Sequence, residues 1–176
     1  MKCIPLLSLS FLFASCFDPV NNYYPVSTQK VLGNKPVYGE YSEAIKISYE
    51  PEKHPILYPG NIYAFQNFVF QVDVGHGIHV IDNSQPSGAD RIGFIRINGC
   101  QQISVKGTYL YTNSYKDLVT LDISIPAHLR VVSRIPNAFP DFSAEPEESG
   151  YFECPNADSV VVGWVQDSVT MNCYKN

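Results

Sequence analysis

An all-β fold is predicted for this chain: two propeller-blade-like, four-stranded antiparallel repeats, a partial β-propeller, with an additional terminal strand. Three observations carry the prediction. Gly77-Ile78-His79-Val80-Ile81-Asp82-Asn83-Ser84-Gln85-Pro86 returns as Asp117-Leu118-Val119-Thr120-Leu121-Asp122-Ile123-Ser124-Ile125-Pro126, so that Asp82 and Asp122, like Pro86 and Pro126, lie 40 residues apart. A period near 40 is the size of one propeller blade. Short runs of alternating apolar and polar residues follow one another from Asn61 to Ile135, the period of a half-buried strand. Aromatic residues make up 13% of the chain, which favours strands, and 13 prolines and 11 glycines spread along it demand many short elements.

The 176 residues allow one domain plus tails, and an apolar fraction of 45% is ample for a core. The formal charge is −5 and no basic cluster is present, which argues against a nucleic-acid partner. The densest charge, from Asp141 to Glu153, is acidic.

Taken in order, the chain opens with Met1-Lys2 and an apolar run from Ile4 to Ala14. That run is too short for a membrane-spanning helix, which needs about 20 residues, and it fits the core of a signal peptide. It ends Leu12-Phe13-Ala14-Ser15-Cys16, which resembles a bacterial lipobox with Phe13 in place of the usual Leu. The resemblance implies that residues 1–15 are a signal peptide and that Cys16 is lipidated and becomes the N-terminus. Ordinary cleavage after Ser15 would need a small residue where Phe13 stands. One acyl chain anchors only marginally, whereas the several chains of a mature bacterial lipoprotein anchor firmly.

Residues 16–40 show no sustained period and read as a lipid-anchored tether; docking of Tyr23, Tyr24 and Tyr38 on the domain is the alternative. Residues 41–60 form a Pro-rich lead-in. Ala44 to Tyr49 alternates like a strand, with a short helix from Ser42 as the rival, and Pro51, Pro55 and Pro59 interrupt regular structure up to Gly60.

The first repeat, residues 61–99, contains strands over 61–65, 68–73, 77–82 and 92–97. The second, residues 100–136, contains strands over 102–106, 109–113, 118–123 and 130–135. Arg130-Val131 stands where Arg91-Ile92 stands in the first. Asp82 and Asp122 end strands, where a carboxylate accepts backbone N–H bonds, and Pro86 and Pro126 fix the turn that follows. Gly107 permits a tight turn. Residues 137–158 read as an acidic, Pro-rich surface loop. Residues 159–176 are a terminal strand and tail, with Val160, Val162 and Trp164 expected on one face.

Gly-Ile-His-Val-Ile-Asp-Asn-Ser-x-Pro, Ile-Gly-Phe-Ile-x-Ile, Val-Lys-Gly-x-Tyr-Leu-Tyr and Asp-Leu-Val-x-Leu-Asp-Ile-Ser-x-Pro together resemble the LVIVD-repeat proteins, more closely Bacteroidetes-type lipoproteins carrying these repeats. The likeness runs from about Pro59 to Pro140 and, more loosely, takes in the Trp164 strand. It implies β-propeller-like structure and an envelope location, with no enzyme activity, no cofactor and no catalytic residues to carry over.

Several residues invite chemistry. His76 and His79 with Asp73 and Asp82 are the densest set of metal-ligand types, but strand alternation turns His79 away from Asp82, so the histidines read as surface residues. Asp82, Asn83 and Ser84 suit a turn better than calcium, since acidic ligands at EF-hand spacing are absent. Cys100 lacks a motif that would supply a base and reads as a buried or inert thiol. Trp164 suits packing, with stacking on a sugar ring as the alternative. Export permits disulfides, and Cys154 and Cys173 flank the final strand, where a bridge would clamp it and leave Cys100 free; sequence does not fix the connectivity.

The expected function is that of a non-catalytic, membrane-anchored β-repeat lipoprotein of the bacterial cell envelope with a binding or scaffolding role. The alternatives are a carbohydrate-binding surface module and, third, an envelope hydrolase or lyase. Expected partners are the membrane, through Cys16, and a protein or glycan. Tyr38 to Tyr58 is expected to cover one side of the repeat pair and Ser159 to Val165 to cover or extend the other, giving a capped monomer; a homodimer is the alternative.

Overall fold

The computed structural model describes residues 29–176. Cys16, the signal sequence and most of the expected tether lie outside the described residues. Three sheets are present among them, and α-helix is confined to one turn, α1 (Tyr41–Ala44).

The first repeat folds as β3 (Pro59–Phe65), β4 (Phe68–Asp73), β5 (Gly77–Asp82) and β6 (Asp90–Arg96), each strand antiparallel to the next. The second folds as β7 (Ile103–Lys106), β8 (Tyr109–Ser114), β9 (Asp117–Asp122) and β10 (Arg130–Ile135) in the same order. The turn between the first two strands of each repeat needs a left-handed residue. Gln66 supplies it in one, at φ 52°, and Gly107 in the other, at φ 59°. The motif residues act alike in both repeats. Asp82 Oδ1 accepts the Ser84 N–H at 2.8 Å and Asp122 Oδ1 accepts that of Ser124 at 3.0 Å. Pro86 and Pro126 each open a short 3-10 turn. The closing strands align differently from the sequence reading. Asp90 pairs with Asp82 and Arg130 with Asp122, so Arg130 occupies the place of Asp90, not Arg91.

The core lies between these two sheets. Phe70, Val72, Ile78, Val80 and Ile95 of the first meet Leu110, Val119 and Leu121 of the second, and all eight are fully buried. Cross-strand register explains the set: Phe70 faces Val80, Val72 faces Ile78 and Leu110 faces Leu121, so alternation delivers each pair to one face. Each such side chain contributes about 1.5–3 kcal/mol by burial.

The segments outside the repeats hold more structure than expected. The tether ends earlier than residue 40: Lys30–Gly39 is a ten-residue strand, β1, lying between β12 (Val160–Thr170) and β11 (Gly150–Phe152). With β13 (Cys173–Lys175) these form a third sheet in the order β12-β1-β11-β13. Gly33 allows the close approach, because a Cβ there would sit 2.4 Å from the Tyr151 carbonyl oxygen. The acidic loop thus contains a strand, β11. The terminal strand runs five residues beyond Val165 and pairs with the N-terminal strand instead of extending the second repeat. A bulge opposite Val37/Tyr38 skips Val162, which is 49% exposed, while Val161 is buried. Val160, Val162 and Trp164 therefore do not form a single buried face.

In the lead-in, both readings of residues 42–49 hold in part. The helical turn α1 is followed by β2 (Ser48–Glu50), which adds a fifth strand to the first sheet beside β6. Regular structure resumes at Pro59, inside β3. Residues 53–58 then cross the outer face of that sheet. Lys53 bridges to Asp90 at 2.7 Å, the Arg91 guanidinium donates to the His54 carbonyl, and the His54 ring lies 4.8 Å from that of Phe94. The segment that follows β1 is tied to the second repeat through Asp117. That buried carboxylate accepts from the Tyr41 hydroxyl and, at 2.9 Å, from Arg134 Nη1, whose Nη2 reaches the Ile45 carbonyl at 2.8 Å. Among the described residues no closed propeller ring is formed.

Candidate binding site

The three sheets converge on a cavity of about 400 Å³. The β4–β5 turn and the β6–β7 connection supply one wall, residues 142–147 another, and the third sheet places Trp164 and Lys175 on its edge. A neighbouring cavity of about 340 Å³ shares Tyr115 and Phe142 with it. Those two rings meet edge to face at 6.1 Å between the cavities. The first cavity is the better candidate because its polar groups are already fixed by one another.

Glu147 is the centre of that arrangement. Its Oε2 accepts from the Tyr58 hydroxyl at 2.8 Å and its Oε1 lies 2.7 Å from His76 Nε2. The Tyr58 and His76 rings stack 5.8 Å apart. The Glu147 carboxylate, as hydrogen-bond acceptor, pushes the Tyr58 phenol above its ordinary pKa. Lys175 Nζ donates to the Pro146 carbonyl at 2.6 Å and to that of Glu147 at 3.3 Å, holding the same loop. Trp164 rests edge-on against Phe152 at 5.6 Å. Cys154 and Cys173 are bonded, 19 residues apart in sequence, which ties the start of β13 to the segment after β11.

Tyr58 is held from below. Asp73, 2% exposed, accepts the Tyr58 N–H at 2.5 Å and that of Leu57 at 3.2 Å. Its Oδ2 also lies 3.4 Å from His79 Nε2. His79 is completely buried and packs 4.9 Å from the Phe94 ring, which corrects its reading as a surface residue. The lead-in provides the cover that strand alternation alone does not reveal. Burial holds the His79 pKa below its ordinary value, with Asp73 opposing.

The other candidate residues separate. His76 faces Glu147, His79 faces Asp73, and Asp82 caps its own turn, where the Ser84 N–H holds its carboxyl below the usual range. Asp122 is held lower, at about 2, by the Arg130 guanidinium and the Ser124 N–H. Among the described residues no group of three or more His, Cys, Asp or Glu side chains is placed to hold a metal ion. Cys100 is buried and free, its thiol 3.1 Å from Thr112 Oγ1 and pushed up to about 11 by desolvation, so it is a thiol at neutral pH. Of the residues singled out in sequence, His76, Val162 and Trp164 line the cavity. Tyr58, Glu147 and Lys175 were not legible, because Tyr58 and Glu147 are 89 residues apart and no local pattern links them.

No curated protein and no solved structure matches the chain. An LVIVD repeat is found at residues 99–135, which are the second of the two four-stranded units.

Proposed function

We propose that this is a non-catalytic, membrane-anchored β-repeat lipoprotein of the bacterial cell envelope, of the Bacteroidetes type, whose two propeller-blade-like repeats carry a binding site between the sheets. One observation carries the binding reading. Glu147, His76, Tyr58 and Lys175 come from separate segments and are cross-linked into one fixed rim around a cavity of ligand size. Groups fixed beforehand lose little entropy on binding. The lipobox-like ending at Cys16 supports the envelope address. The test is recovery of the tagged, anchored protein from solubilised envelopes, with retained molecules identified by native mass spectrometry. A molecule retained by wild type and lost from an equally stable Glu147→Ala variant supports the reading; equal retention by both proteins, or none by either, contradicts it.

A further inference from the structure

We infer that the cavity between Tyr58, Glu147, Trp164 and Lys175 takes a neutral mono- or disaccharide, an inference that rests on the binding reading above. The cavity is about 400 Å³, at the small end of ligand sites, which run from about 300 to 1,000 Å³. Its polar groups offer both donors and acceptors. A carboxylate has about four lone-pair sites, and Glu147 uses one on each oxygen, for Tyr58 and His76. An ammonium has three donors, and Lys175 directs bonds to two carbonyls, leaving one. The Gln101 amide, also on the lining, adds a donor and an acceptor.

Sugar hydroxyls donate and accept, so a ring of them meets this mixture. A wholly apolar ligand would leave these groups unpaired, and a simple cation would give Lys175 no acceptor. An anion is disfavoured because Glu145 and Glu147 outnumber Lys175 on the lining. Two aromatic side chains supply flat apolar surface for the C–H faces of a sugar. Tyr58 is 37% exposed and steadied by His76, and Trp164 is steadied by Phe152.

Trp164 is the chain's one tryptophan, so its fluorescence reports this cavity alone. The experiment titrates the full chain in detergent micelles with glucose, galactose, mannose, N-acetylglucosamine and their β-1,4-linked disaccharides. Parallel titrations use trialanine and n-butylamine. The expected result is a saturable change with at least one sugar, weakened at least tenfold in Glu147→Ala and in Tyr58→Ala when either variant melts like wild type. Isothermal calorimetry on wild type gives a second readout should both variants fail to fold. A response to trialanine or butylamine and to none of the sugars overturns the sugar class and leaves the binding reading standing. No response to any probe overturns the sugar class, and the envelope recovery experiment then decides the binding reading separately.

Discussion

Asn61 and Ile103 join the two repeats by a two-way hydrogen bond. The Asn61 side-chain amide donates to the Ile103 carbonyl at 2.9 Å, and its oxygen accepts the Ile103 N–H at 3.1 Å. One side chain on β3 thus satisfies both backbone groups of a residue on β7 and sets the two sheets against each other. Asn61→Ala leaves both groups unpaired at a partly buried site and is expected to destabilise the protein by about 1–3 kcal/mol. Urea unfolding checks this; a loss below about 0.5 kcal/mol would show that water replaces the amide.

Gly93 and Tyr49 make the fit between β6 and β2. A Cβ on Gly93 would stand 2.2 Å from the Tyr49 hydroxyl, which donates to the Ile92 carbonyl at 2.9 Å. Gly93→Ala is expected to expel the ring, cost about 1–3 kcal/mol and speed tryptic cleavage at Lys46 and Lys53. In a double-mutant cycle, adding Tyr49→Ala should cost less than the sum of the two changes.

His79 makes stability fall with acidity. Its pKa is lower in the folded protein than in the unfolded chain, so between about pH 6.5 and its depressed folded value the unfolded chain binds more protons. The stabilisation is complete above the unfolded pKa and is lost as pH falls towards the folded one, by up to about 1.4 kcal/mol per pH unit. Unfolding free energies between pH 7 and 5 should show a shallower slope for His79→Gln than for wild type. Equal slopes would place the titration elsewhere.

Cys16→Ala is expected to abolish lipid attachment and release the protein from the membrane fraction. Mass spectrometry of the wild-type N-terminus should find acyl chains on Cys16. A mutant that still sediments with membranes, beside an unlipidated wild type, would contradict the anchor.

The repeats were legible because their signals are local. The 40-residue return of Asp82 and Pro86, the turn residues and the alternation around Phe70 and Leu110 all act within a hairpin or two. The third sheet was not, because β1 gains its partners only from more than 100 residues away: Lys35 lies opposite Val165. Its sequence, Lys-Val-Leu-Gly-Asn-Lys-Pro-Val-Tyr-Gly, has mixed burial on both faces and no clean alternation. The site was partly legible for a related reason. Trp164 and His76 draw attention by type, whereas Glu147 looks like one more acid in an acidic run until Tyr58 and His76 are brought to it.

The two ends of the described chain meet in one sheet, and that sheet brings Trp164 and Lys175 to the cavity. Leu32 on β1 lies directly opposite Ser168 on β12. Directly opposed residues of an antiparallel pair have Cα atoms about 4.5–5.5 Å apart, inside the roughly 4.4–6.8 Å that a disulfide spans. The most direct measurement is non-reducing peptide mapping of the Leu32→Cys/Ser168→Cys double variant after mild oxidation. The expected result is a cross-link between positions 32 and 168 alongside an intact Cys154–Cys173 bond, in a protein that melts at or above the wild-type temperature. Free thiols at both positions, with the native bond intact, would contradict the pairing of β1 with β12.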